Sequence, residues 1–287
     1  MIEARSLARL VRPGVSLAVA GGALFGALFQ CRAAGHVPLW TGDGLAHGMV
    51  AALGAGVLCA ACSALNQVQE RGTDALMRRT MDRPLASGAM TVRCGLAVSF
   101  GLLLAGFILF FMAGGWTLLA LGLAVPLIYN GLYTPLKRVT PMALLLGGLS
   151  GALPPLTGWV GAGGSVLDPS ILAVTTVFYL WQVPHFWLLQ ERYGEDYRRA
   201  GFPSLDSRLP ARLYRPLLGL WVGAYFIGLA CLAYVCGPGS STWLVPPAVL
   251  LAGGWALLGV ARRGRASSMA VSASLPLVLA MLLGNTF

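Results

Sequence analysis

Apolar runs of about twenty residues, separated by short polar connectors, recur along the whole chain. Nine of them are predicted as spans, near residues 14–34, 44–66, 95–113, 116–134, 141–163, 168–190, 216–237, 241–261 and 267–287. A helix needs ~20 mostly apolar residues to cross a bilayer, so each run suffices for one crossing. The expected architecture is all-α, a polytopic membrane protein with nine transmembrane helices in a single domain, 1–287. Arg5, Arg9 and Arg12 precede the first run, in the order of a secretory leader. That run is long for a leader, and only Ala33-Ala34-Gly35 offers small residues near its end, so it is expected to stay as an uncleaved span.

Composition agrees with the pattern. Hydrophobic residues make up 57% of the 287 and charged residues 10%, with mean hydropathy +0.74. A soluble domain has about 25% charged residues, so too little polar material is present to coat a water-facing globule. Net charge is +10, which raises nucleic acid as a partner until the charges are placed. Arg5, Arg9 and Arg12 lie before span 1; Arg71, Arg78, Arg79, Arg83 and Arg93 after span 2; Lys137 and Arg138 after span 4. Arg192, Arg198, Arg199, Arg208, Arg212 and Arg215 follow span 6, and Arg262, Arg263 and Arg265 follow span 8. These connectors share one parity and hold 19 of the 20 basic residues, Arg32 being the exception. Lys and Arg concentrate in short cytoplasmic loops. The segregation therefore predicts a cytoplasmic N-terminus, a periplasmic or extracellular C-terminus and no nucleic acid. The six cysteines fall in apolar runs, and Cys59 and Cys62 are expected to pack rather than to do redox or metal chemistry.

Acidic residues are scarcer and more informative. Seven of the ten, Glu70, Asp74, Asp82, Glu191, Glu195, Asp196 and Asp206, lie in the loops after spans 2 and 6. Asn66, Glu70 and Asp74 are spaced four and four, so a helical continuation of span 2 puts them on one face, ~6 Å apart along the axis. The row is expected in the headgroup region, polar and superficial. Such oxygen ligands suit Mg²⁺, which is usually held by one or two carboxylates plus substrate phosphate oxygens. Arg78, Arg79 and Arg83 supply forks for phosphate. A solvated, salt-bridged helix end explains the acidic triplet alone, and Gly72 within it costs a helix roughly 1 kcal/mol.

A second patch favours the functional reading. Glu191, Glu195 and Asp196 follow Trp181-Gln182-Val183-Pro184-His185-Phe186-Trp187 at the same side, and two acidic faces across one cavity suit a Mg²⁺-diphosphate. Tyr129, Tyr133, Lys137 and Arg138 end span 4 on that side and add donors for phosphate oxygens. The span interiors are free of Asp, Glu, Lys and Arg, unlike a transporter with ionisable groups at mid-membrane.

These residues carry a resemblance. From about Asn66 to Pro203 the chain resembles the protohaem IX farnesyltransferase (haem O synthase) branch of the UbiA-type intramembrane prenyltransferases. The motifs are Asn66-x3-Glu70-x3-Asp74-x2-Met77-x-Arg79-Thr80-x2-Arg83-Pro84-Leu85-x2-Gly88; Tyr133-Thr134-x-Leu136-Lys137-Arg138-x-Thr140; Gly151-Ala152-x-Pro154-Pro155-x2-Gly158-Trp159; and Trp181-Gln182-x-Pro184-His185-Phe186 leading to Asp196-Tyr197-x2-Ala200-Gly201. The family usually has Asp where this chain has Glu70, a carboxylate one methylene longer. The shared acid of the second patch is Asp196, with Glu191 and Glu195 as local additions.

The resemblance implies helices arranged around a central cavity and transfer of a farnesyl group from farnesyl diphosphate to a vinyl group of haem b. Water adds in the same reaction, and haem O and diphosphate are the products. A sister enzyme acting on a quinone precursor or a chlorin is the alternative. Implied catalytic residues are Asn66, Glu70, Asp74, Asp196 and Lys137. The implied metal ligands are Asn66, Glu70, Asp74, Asp196, Glu195 and Glu191. Diphosphate binding falls to Arg78, Arg79, Arg83, Tyr133, Lys137 and Arg138, and haem binding to His185 and Trp181. The expected setting is a bacterial inner membrane, with haem A synthase or a terminal oxidase as assembly partners.

Overall fold

A computed structural model of the chain describes residues 4–35, 43–236, 245–261 and 266–284. All regular elements among them are helices: α1 (Ala4–Val11), α2 (Pro13–Ala33), α3 (Asp43–Asp74), α4 (Val92–Pro126), a π-helical turn (Leu127–Tyr133), α5 (Thr134–Leu136), α6 (Ala143–Gly161), α7 (Pro169–Arg192), α8 (Gly194–Arg199), α9 (Leu205–Arg208), α10 (Ala211–Cys236), α11 (Val245–Ala261) and α12 (Ala266–Gly284). Among the described residues, helices lie within each of the nine predicted stretches. Among the described residues six stretches are long and apolar enough to span a bilayer. Arg262, Arg263 and Arg265 lie outside the described residues.

One stretch, Val92–Leu136, has 45 residues, about 68 Å at 1.5 Å per residue, against a hydrocarbon core of about 30 Å. It folds back at Gly114-Gly115, where Gly115 takes φ 59. A Cβ on Gly122 would lie 2.6 Å from the Phe110 ring, contact impossible along a straight helix. The two predicted spans 95–113 and 116–134 are therefore the arms of a hairpin, turned by two residues without side chains to obstruct it.

The chain divides into two compact units. One comprises Met1–Val166 and Gly194–Pro203, the other Leu167–Tyr193 and Ser204–Phe287. In the first, α3 packs on α1, α2, α4 and α6, through a seam of small buried residues including Ala51, Ala55, Ala61 and Ala64. Without a hydrophobic drive between helices in lipid, small residues permit the close approach that dispersion requires. The α2–α6 contact is the tightest: a Cβ on Gly158 would lie 1.6 Å from the Ala23 carbonyl oxygen, and one on Gly26 1.8 Å from that of Pro155. Trp159 is buried beside Phe29, with ring centroids 5.5 Å apart, and its Nε1 donates to the Ser165 carbonyl. The Gly151–Trp159 motif is thus read as helix packing.

In the second unit α7 packs on α10 and α12, and α11 on α10 and α12. The fully buried Tyr225 shares a 2.8 Å hydrogen bond with Ser274.

Candidate active site

α3 continues through Gly72 and ends at Asp74, so Asn66, Glu70 and Asp74 do share one helix. They are buried rather than superficial, at 4%, 3% and 2% exposure. A charge so enclosed must find partners. Glu70 Oε2 accepts from Lys137 Nζ at 2.7 Å, and both oxygens of Asp74 accept from Arg83 at 2.8 and 2.9 Å. Asn66 Nδ2 donates to Thr134 Oγ1 at 3.1 Å.

The connector after α3 explains the first motif residue by residue. Thr80 Oγ1 donates to the Asp74 carbonyl, closing the helix end, while Met77 is buried. Leu85 packs with Leu10, Ala64, Val68 and Met90, and Gly88 takes φ 77. This fixed path returns Arg83 to the Asp74 carboxylate.

Asp196, 7% exposed at the start of α8, accepts from the backbone N–H of Arg78 at 3.1 Å and of Arg79 at 3.2 Å. The second acidic patch therefore does meet the first segment, as a clamp on the arginine connector. Each oxygen of Asp196, expected among the metal ligands, accepts one main-chain N–H in this clamp.

Lys137 is set by the π-helical turn. Pro126 and Pro135 lack amide donors, and between them the Thr134 N–H reaches five residues back to Tyr129, whose carbonyl also takes the Thr134 hydroxyl. Single π turns inside helices frequently mark functional sites. Asn130 donates to the Cys62 carbonyl and to Gln69 Oε1, and Gln69 Nε2 donates back to the Asn130 carbonyl. These amides lock the turn to α3 beside Glu70. The Lys137 ammonium stands 5.1 Å from the Tyr133 ring centroid and 5.6 Å from that of Phe202, a desolvated cage in which cation–π attraction is strengthened.

Other expected residues have partners of their own. Arg138 donates to the Gln69 carbonyl at 2.7 Å, which fixes it to the helix. Glu195, with a 68% exposed side chain, pairs with Arg199 one turn on, and Glu191 pairs with Arg215 in the second unit. His185 stacks on Trp181 at 4.5 Å with rings 17° apart, and Trp181 Nε1 donates to the Val271 carbonyl; both belong to the second unit. Phe202, Asn130 and Gln69 were not singled out in the sequence, and Thr134 stood there only as a position of the second motif. Polar amides inside an apolar span were an available signal for Asn130; nothing local marked Phe202.

The donor set fits a hard cation of limited protein ligation. Glu70 Oε1 is buried without a hydrogen-bond partner, and the Asn66 bond through nitrogen leaves its amide oxygen available to a cation. Among the described residues no three His, Cys, Asp or Glu side chains converge. Two carboxylates and an amide oxygen suit Mg²⁺, which takes one or two carboxylates and completes its shell with water and phosphate.

Residues 18–282 match the UbiA prenyltransferase family. The chain belongs to that family. The chain is 45% identical over 213 residues to a protoheme IX farnesyltransferase of Oleidesulfovibrio alaskensis, covering 71% of this chain and 75% of the relative. It is 41% identical over 223 residues to one of Nitratidesulfovibrio vulgaris, covering 78% and 74%. Among solved structures it is similar to a UbiA homolog from Archaeoglobus fulgidus bound to GPP and Mg²⁺, with TM-score 0.68, 14% identity and 98% of both chains covered. A digeranylgeranylglyceryl phosphate synthase gives TM-score 0.75 at 15% identity, over 100% of this chain and 99% of that one. The UbiA fold and its prenyltransferase activity in a multi-pass membrane protein follow.

Proposed function

We propose that this UbiA enzyme transfers the farnesyl group of farnesyl diphosphate to a vinyl group of haem b, with addition of water, giving haem O and diphosphate. The buried row Asn66–Glu70–Asp74 met by Lys137 and Arg83 carries the proposal, in a chain 41–45% identical to protoheme IX farnesyltransferases. Its chemistry is that of a site built for a diphosphate.

Mg²⁺, when bound through Glu70, Asn66 and Asp74, supplies charge neutralisation on the leaving diphosphate. Lys137 and Arg83, with Arg78, Arg79 and Tyr133 beside them, bind the same oxygens, so the allylic C–O bond breaks with its electron pair on phosphate. Asp196 holds the connector bearing these arginines. The allylic cation is attacked by the vinyl carbon, forming the C–C bond. Water adds to the resulting cation beside the porphyrin and loses a proton. Low exposure of the acids excludes bulk water from the first cation. His185, stacked on Trp181, is the side chain assigned to orient haem. The bacterial inner membrane, a cytoplasmic N-terminus and hand-over to haem A synthase or a terminal oxidase complete the proposal.

The test is purified enzyme with Mg²⁺, haem b and farnesyl diphosphate, followed by mass spectrometry of the porphyrin. Haem O is expected. No haem O, with prenylation of a quinone precursor under the same conditions, overturns the proposed acceptor.

A further inference from the structure

Arg12 stands between α1, which ends at Val11, and α2, which begins at Pro13, and takes φ 50, ψ 64. Among the described residues it is the only non-glycine with positive φ. Glycine enters that region freely, whereas L-residues other than Asn and Asp rarely do. An outlier that persists is held by its surroundings and points to function. The holding contacts lie on both sides of it. Leu10 is fully buried in a cluster with Ala64, Val68, Leu85 and Met90, Gln67 Nε2 donates to the Arg9 and Leu10 carbonyls, and the Ser16 hydroxyl donates to the Val11 carbonyl at 2.9 Å.

These contacts also fix its depth. Leu10 lies level with Ala64 and Val68 of α3, while Ser16 lies level with Gly56, where a Cβ would stand 3.3 Å from the Ser16 carbonyl oxygen. Arg12 falls between them, about one to two turns of α3 beyond Asn66 on the side away from Asp74. Gly56 precedes Asp74 by 18 residues, about five full turns, so the start of α2 flanks the face that carries Asn66, Glu70 and Asp74. From there the Arg12 charge acts on Cys59 of α3 and on the phenols of Tyr129 and Tyr133 in the π-helical turn. The charges of Lys137 and Glu70 act on Tyr129 as well, so Arg12 faces the same space as the buried ion pair.

Among the described residues the Arg12 side chain has no hydrogen-bond or ion-pair partner. A cation at membrane depth is costly, and such residues mark substrate positions. The diphosphate has its cations already: Lys137 and Arg83 gather at the Glu70–Asp74 end of the row, and a farnesyl chain bears no anion beyond its diphosphate. The acceptor does bear one, since haem b carries propionate carboxylates. We propose that Arg12 binds a carboxylate of the acceptor, a propionate of haem b, through charge-assisted hydrogen bonds. The assignment rests on haem b being the acceptor, as proposed above.

The experiment measures KM and kcat for haem O formation by the purified full chain with Mg²⁺ and farnesyl diphosphate, using haem b or its dimethyl ester as acceptor. A hydrogen bond to a charged group is lost in the ester, so wild type should show a KM about tenfold or more above that for haem b. Arg12→Gln should raise KM for haem b by a similar factor and abolish the difference between acid and ester, with KM for farnesyl diphosphate within about twofold of wild type. Arg12→Lys should recover most of the loss. Arg12→Gly, which takes the left-handed backbone without strain, should keep the fold while sharing the defect, separating the charge from the turn. A wild-type KM for haem b in Arg12→Gln, acid–ester discrimination that survives in it, or a rise in KM for farnesyl diphosphate instead would overturn the assignment alone. Wild type that forms no haem O would remove the acceptor reading, and the assignment with it.

Discussion

Removing Lys137 tests the centre of the site most directly. In Lys137→Met the aliphatic stem between Tyr133 and Phe202 is kept, but Glu70 loses the 2.7 Å bond to its Oε2. Its Oε1 already has no partner, and the residue is 3% exposed. Breaking one side of a buried ion pair costs about 3–5 kcal/mol, whereas replacing both sides by apolar groups is often near neutral. Lys137→Met should therefore lose about 3–4 kcal/mol in an SDS titration from mixed micelles. Lys137→Met/Glu70→Leu should recover most of that loss. Haem O formation should fall by about 100-fold or more in both, since a donor to developing charge is gone in each. A single variant as stable as wild type, or a double variant no better than the single, would show that the pair is not the buried unit described. A stable, inactive double variant separates the chemistry of these groups from their packing.

Other variants probe the surroundings. Asp196→Asn puts an amide donor against one of two backbone N–H groups, so the arginine connector should loosen and KM for farnesyl diphosphate rise about tenfold, with kcat less affected; an unchanged KM removes the clamp. Gly158→Ala places a methyl where only 1.6 Å separates it from the Ala23 oxygen, and should destabilise by about 1–3 kcal/mol through overpacking, seen as a lower midpoint in the same titration. Glu195→Ala breaks only an exposed pair, worth under about 1 kcal/mol; turnover within twofold of wild type is expected, and a tenfold loss would bring Glu195 into the metal site.

Much of the fold was legible because bilayer thickness leaves a strong mark on a sequence: the hairpin arms at 95–113 and 116–134 stand apart although only Gly114-Gly115 separates them. The four-residue spacing of Asn66, Glu70 and Asp74 likewise announced a shared face. Burial of that face was not legible, because it depends on Lys137 and Arg83 arriving from 67 and 9 residues away. Nor was the meeting of Asp196 with the N–H groups of Arg78 and Arg79, since partners 118 and 117 residues away leave no mark on the local sequence. The bond from Arg138 to the Gln69 carbonyl, 69 residues away, was equally out of reach of local spacing.

The π-helical turn has a bearing on how such a chain tolerates change. A widened turn holds one residue more than the regular helix, so trimming one position between 127 and 133 would let the coil close while the residues after it keep their phase. The loss would fall on the turn itself, where Asn130 meets Cys62 and Gln69. An added residue has no such slack to enter and would rotate Lys137 by about 100° out of its aromatic cage, so this segment should bear shortening better than lengthening.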